Sequence, residues 1–299
     1  MSSMESLLRF AVPALLAVGA AVVMDRLCAS RGLLPPGFRE PWRRVAALLL
    51  VALIFGIGVF APLGSIGLSL EPDLSQLTTP QLFLLHALLV LTVGLWFLLG
   101  FAGVDGTGGS EGTAGTAQTA GLGRQFLAQF GLLAPNVAGE IGLGVVLGLA
   151  AWVTVLLALI AIGGALLLLG GEDAVPKAPP ALVPWIAALP IGVRILVSLS
   201  AGVVEEVFFR GFLQPRIGIA LSTAFFVLAH FSYGQPFMLV GITILSLIYA
   251  YLVQWRQNIW PAIAAHVLFD GVQLLVVIPS ALRLLEQQGV KAAACLGLF

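Results

Sequence analysis

Six ionisable residues in the last third of the chain are of the types that move protons: Glu205, Glu206, Arg210, His230, His266 and Asp270. Carboxylates and imidazoles are the usual general acids and bases of enzymes. Glu206 and Arg210 stand four residues apart, so on a helix they share a face and can form an ion pair. Glu205 is turned by about 100° from its neighbour. One glutamate is therefore free to act while the other is structural. His266 and Asp270 repeat the four-residue spacing, which lets the carboxylate orient the imidazole. Phe226 and His230 repeat it again, with an aromatic ring one turn before the imidazole.

These residues stand in an apolar chain. Of 299 residues, 60% are hydrophobic and 9% charged, against about 25% charged in soluble domains. Mean hydropathy is +1.07. About 20 apolar residues span a bilayer as a helix. The sequence predicts an all-α polytopic bundle of about eight transmembrane helices, near 7–25, 45–68, 81–103, 138–170, 182–213, 217–233, 236–254 and 259–279. The first is read as a retained span, because "DRLCASRG" offers no small-residue cleavage site. An ionisable residue at the centre of a span costs about 2.5–3.5 kcal/mol on insertion scales. Such residues persist when they are paired or line a wet cavity. The spans before residue 180 carry almost none, His86 being the main exception, and a lone histidine there reads as a packed or hydrogen-bonded residue.

Two parts follow from this asymmetry. Residues 1–135 read as N-terminal spans with a flexible Gly/Thr-rich cytoplasmic loop at about 103–125, and 136–299 as a core region with the polar groups at 205–270. No GKS or GKT follows the glycines of that loop, which argues against a phosphate-binding loop. The Gly144-to-Gly148 spacing reads as helix packing. Arg26, Arg31, Arg39, Arg43 and Arg44 lie between the first two spans, whereas the next loop has Glu71 and Asp73 and no cation. The arginine loop is therefore expected in the cytoplasm, with the turns holding Arg216 and Arg256. Zero net charge gives no hint of nucleic acid, and Cys28 and Cys295 form no disulfide framework or metal motif.

Three motifs carry a resemblance. "EEVFFR" fits EExxxR, "FVLAH" fits FxxxH and "HVLFD" fits HxxxN/D, in that order on neighbouring spans. The region of about 195–275 resembles the CPBP family of intramembrane proteases, which includes the CAAX prenyl endopeptidase and bacterial relatives linked to bacteriocin processing or immunity. No HExxH zinc-protease motif, GxGD aspartyl motif or rhomboid-like serine competes with it.

The resemblance implies peptide hydrolysis, with Glu205 activating water and Glu206 paired to Arg210. His230 and His266 would hold the water or stabilise the oxyanion, and Asp270 would orient His266. It leaves open whether a divalent metal such as zinc, held by His230, His266 and Asp270, takes part, with metal-independent water activation preferred. Asp270 stands where the prenyl endopeptidase has Asn, which weakens the case for CAAX substrates. The expected partners are the lipid bilayer and a membrane-bound peptide or protein substrate, and the expected location is a bacterial inner membrane. The alternatives are a proton-coupled transporter or channel using the same Glu, His and Asp, and an inert immunity or scaffold protein. No repeat symmetry supports the transporter.

Overall fold

A computed structural model describes residues 3–65, 78–103, 114–171, 182–231 and 236–287. Glu71, Asp73 and Cys295 lie outside the described residues, as do 104–113 of the expected loop. The regular structure among the described residues is helical. In chain order the helices are α1 (Ser3–Ser30), α2 (Pro41–Phe55), α3 (Thr79–Leu82), α4 (Leu84–Phe101), α5 (Ala114–Gln129) and α6 (Val137–Gly170). There follow α7 (Leu182–Ala188), α8 (Ile191–Ser200), a π-helical segment (Ala201–Leu213) and α9 (Gln214–Ala229). The last are α10 (Pro236–Arg256), α11 (Trp260–Val272) and α12 (Ile278–Gln287). Helix α5 occupies part of the stretch that the sequence suggests is loop.

Burial runs the opposite way from a soluble protein. Leu168 and Leu169 are 88% and 89% exposed, while Glu206, Arg210 and Arg216 are 0%, 1% and 2% exposed. Apolar side chains outside and charges inside suit a hydrocarbon solvent. This is a multi-pass membrane protein. Among the described residues six helices are long and apolar enough to cross: Arg9–Ser30, Pro41–Gly64, Leu84–Phe101, Val137–Gly170, Met238–Arg256 and Trp260–Leu284. The segments expected as two further spans, 182–213 and 217–233, are not among these six. Pro190 ends the first piece by capping α8, and the continuous helix beyond it carries Arg194, Glu205, Glu206 and Arg210. It breaks at Gly218, whose φ of 84° suits a residue without Cβ.

Five arginine side chains tie one end of the bundle together. Arg44 forms a two-pronged pair with Asp25, at 2.6 and 2.9 Å. Arg43 donates to the Ala102 carbonyl, and Arg31 to the Arg216 carbonyl. Arg256 holds Glu140 through bonds of 2.6 and 3.0 Å. Arg216 lies over the rings of Trp96 and Phe212, at 4.2 and 4.6 Å.

Two apolar clusters fill the interior. The larger joins α1, α2, α4 and the π-helical segment through Phe55, Trp96, Phe97, Phe208 and Phe212. The smaller joins α6, α10 and α11 through Ala151, Tyr249, Ala262 and Ala265. Close approach between α6 and α11 depends on glycine. A Cβ on Gly148 would stand 2.8 Å from the Ala265 Cα, and one on Gly144 2.8 Å from the Pro261 Cα. The GxxxG pair thus packs inside the chain, as the sequence suggests.

Candidate active site

The polar groups gather where the π-helical segment meets α4, α9, α10 and α11. Segments of π-helix are rare and frequently lie at functional sites. The sequence gives no sign of one here, since its spacing reads equally as α-helix. The Glu206–Arg210 pair forms all the same, with Arg210 Nη1 donating to Glu206 Oε1 at 2.9 Å. Arg210 also donates to the Ser246 carbonyl and hydroxyl on α10, at 3.3 and 3.1 Å. Its guanidinium lies 4.2 Å from the centre of the Phe226 ring.

Glu206 does more than the sequence assigns to it. The same Oε1 accepts from His266 Nδ1 at 2.8 Å. The hydrogen bond that orients His266 therefore comes from Glu206 on another helix. Asp270 stands at the other ring nitrogen, with Oδ2 3.6 Å from His266 Nε2. The Tyr249 ring stacks on His266 at 5.3 Å, and its buried hydroxyl has no hydrogen-bond partner among the described residues.

Glu205 faces elsewhere. Its Oε1 is 3.4 Å from His86 Nε2, and its Oε2 is 3.7 Å from His230 Nε2. That Oε2 is buried and makes no hydrogen bond among the described residues. His230 Nδ1 lies 2.7 Å from the Phe226 carbonyl, which can only accept, so Nδ1 carries the proton. His86 Nδ1 lies 3.0 Å from Ser200 Oγ. The one hydroxyl proton of Ser200 goes to the Val197 carbonyl, so here too Nδ1 donates.

All three histidines of the chain thus commit Nδ1 to a fixed acceptor and turn Nε2 toward a carboxylate. Sequence reading sets His86 aside. The signal that could have found it is the cost of a lone imidazole in an otherwise uncharged span. The six expected residues lie together, in two linked sets: Glu205 with His230, and Glu206 with Arg210, His266 and Asp270.

Such a set can deprotonate water beside a fixed imidazole and offer a second imidazole and a carboxylate nearby. Residues 187–272 match the family model described as type II CAAX prenyl endopeptidase Rce1-like. The matched segment is the one whose three motifs resemble the CPBP family. It holds every expected site residue and leaves His86 outside. A stretch of 79 residues is 30% identical to the uncharacterized protein YpbD of Bacillus subtilis (strain 168), covering 26% of this chain and 42% of that protein. The chain thus matches less than half the length of this relative. No solved structure matches the chain.

Among the described residues no three His, Cys, Asp or Glu side chains are grouped to hold an ion. His266 Nδ1 is taken by Glu206, and its Nε2 lies 3.6 Å from Asp270 Oδ2.

Proposed function

We propose that this protein is an intramembrane endopeptidase that hydrolyses membrane-associated peptides with a glutamate-activated water. The observation that carries the reading is Glu205. One carboxylate oxygen has no hydrogen-bond partner among the described residues and faces an imidazole nitrogen whose tautomer is fixed from behind. Water placed between Glu205 Oε2 and His230 Nε2 loses a proton to the carboxylate and attacks the peptide carbonyl. His230 Nε2, unprotonated in this tautomer, accepts a hydrogen bond from the water and holds it, while His266 stabilises the oxyanion that forms. The proton held by Glu205 then passes to the leaving amine as the C–N bond breaks. Glu206 and Arg210 keep the π-helical segment and α11 in register, and Asp270 fixes the second ring nitrogen of His266.

Depth in the bilayer favours a membrane-anchored substrate. Glu205 precedes Arg216, at the arginine-rich end, by about 15 Å of helix. A scissile bond must come down to this level, which suits a peptide tethered by a lipid or a hydrophobic segment. A bacterial inner membrane is the setting this composition fits, with the catalytic groups in the 136–299 part of the chain.

The test is direct. Purified protein in proteoliposomes is given an internally quenched peptide bearing a C-terminal alkyl anchor, with and without chelator. The reading expects cleavage that survives the chelator and disappears in Glu205→Gln. An intact peptide with folded wild-type protein overturns it.

A further inference from the structure

We infer that His86, on α4 and outside the family match, is a positioning residue of the hydrolytic site that holds Glu205 through Oε1 and shares one proton with it. The inference rests on Glu205 being the base.

Thr78 and Gln81 form a capping box, and α4 begins anew at Leu84, so His86 lies in its first turn. The side chain is 16% exposed and turned inward, fixed at both nitrogens. Nδ1–H donates to Ser200 Oγ, on α8 just before the π-helical segment. The ring cannot rotate without giving up that bond, and Nε2 therefore stays aimed at Glu205 Oε1, 3.4 Å away.

Proton counting fixes what this contact can be. A carboxylate oxygen has only lone pairs, and so has Nε2 of an imidazole already protonated at Nδ1. A hydrogen bond between them needs one further proton, on Nε2 or on Oε1. With that proton on Nε2, Glu205 is an anion held by an imidazolium. Its other oxygen, Oε2, is then the one that can accept a proton from water. The step balances. The O–H bond of water breaks, its proton forms an O–H bond at Oε2, and its electron pair stays on the hydroxide. His86 remains an imidazolium throughout.

The arrangement divides labour between the two carboxylate oxygens. Oε1 anchors, and Oε2 reacts. A base that could rotate about its terminal bond would present either oxygen at any angle, and a misplacement of about 1 Å can cost about 100-fold in rate. His86 removes that freedom from a helix 119 residues earlier in the chain.

Two readouts test this. In kinetics on the anchored peptide, His86→Leu is expected to lower kcat about 100-fold with KM within about twofold. His86→Gln returns an N–H donor near Oε1 and should recover at least about tenfold of the loss. Equal rates for Leu and Gln, or a wild-type rate for Leu, overturn the proposal.

The second readout needs no substrate. The chain has three histidines, so nitrogen-15 histidine spectra of the full protein in detergent can be assigned by replacing each in turn. His86 is expected protonated at Nδ1, with an Nε2 signal that moves strongly in Glu205→Gln. A bare Nδ1, or an Nε2 signal indifferent to Glu205→Gln, refutes the pairing. Wild-type protein that leaves the peptide intact refutes the hydrolase reading instead, and the spectra still decide whether His86 and Glu205 share a proton.

Discussion

Replacing Glu206 by Gln should unfold the protein more readily, whereas the same change at Glu205 should not. Glu206 is fully buried, and its Oε1 accepts from both Arg210 and His266. The amide keeps the shape and loses the charge. Arg210, 1% exposed, then keeps Ser246 and the rings of Phe226 and Tyr249 but no anion beside it. Breaking one side of a buried pair costs about 3–5 kcal/mol. The contacts Arg210 retains put the cost at the lower end, about 3 kcal/mol, since a desolvated cation over a ring is itself worth about 2 kcal/mol. At about 2 °C per kcal/mol for a large chain, the midpoint falls by about 6 °C. Glu205 is in another position. Its side chain is 15% exposed and its nearest partner is 3.4 Å away, so Glu205→Gln should shift the midpoint by less than about 2 °C. The assay pairs thermal unfolding in detergent with cleavage of the anchored peptide. Glu206→Gln should lose both stability and activity, Glu205→Gln activity alone. Equal midpoints for the two variants would refute the division between a structural and a reactive glutamate.

Other expectations are simpler to state. Gly148→Ala forces a Cβ against the α11 backbone beside His266 and should cost about 1–3 kcal/mol, with activity falling too; Gly142→Ala, with open space around it, should do neither. Tyr249→Phe removes a buried hydroxyl without a hydrogen-bond partner and should raise the unfolding midpoint, as such a group costs about 1–3 kcal/mol; a lowered midpoint would show that the hydroxyl is satisfied. Asp270→Asn should keep cleavage within about tenfold of wild type and leave metal content, read by elemental analysis, unchanged; stoichiometric zinc lost together with activity would make Asp270 a ligand. Cysteine at Ser30, in a Cys28→Ala, Cys295→Ala background, should resist an impermeant thiol reagent in intact cells, and its labelling would invert the topology.

The ease of reading differed from one feature to the next, for physical reasons. The Glu206–Arg210 pair is legible because its partners are four residues apart and share a face in an α-helix and here also in the π-helical segment. The broad class is legible because charge is so scarce. Span number is not, because Arg194, Glu205, Glu206 and Arg210 crowd one helix and Gly218 shortens the next. The His266 bond to Glu206 is not legible either. It joins residues 60 positions apart, and spacing says nothing of how two helices are rotated about their axes. His86 is the clearest case. Alone in its span it reads as packing, and only the approach of α4 to the π-helical segment gives it Ser200 and Glu205 as partners.

In a bilayer no hydrophobic drive pulls helix against helix, so association rests on close packing and polar contacts. Here several of the polar contacts belong to the site. Arg210 fastens the π-helical segment to α10, and Glu206 fastens it to α11. His86 links α4 to Ser200. A group with such a duty cannot move during a reaction without loosening the bundle. One candidate atom is spared it. Glu205 Oε2 makes no hydrogen bond among the described residues. It is therefore the atom placed to take up and return a proton during turnover. Substitutions at Glu205 should separate activity from stability most cleanly, and substitutions at Glu206, Arg210 or His266 should not.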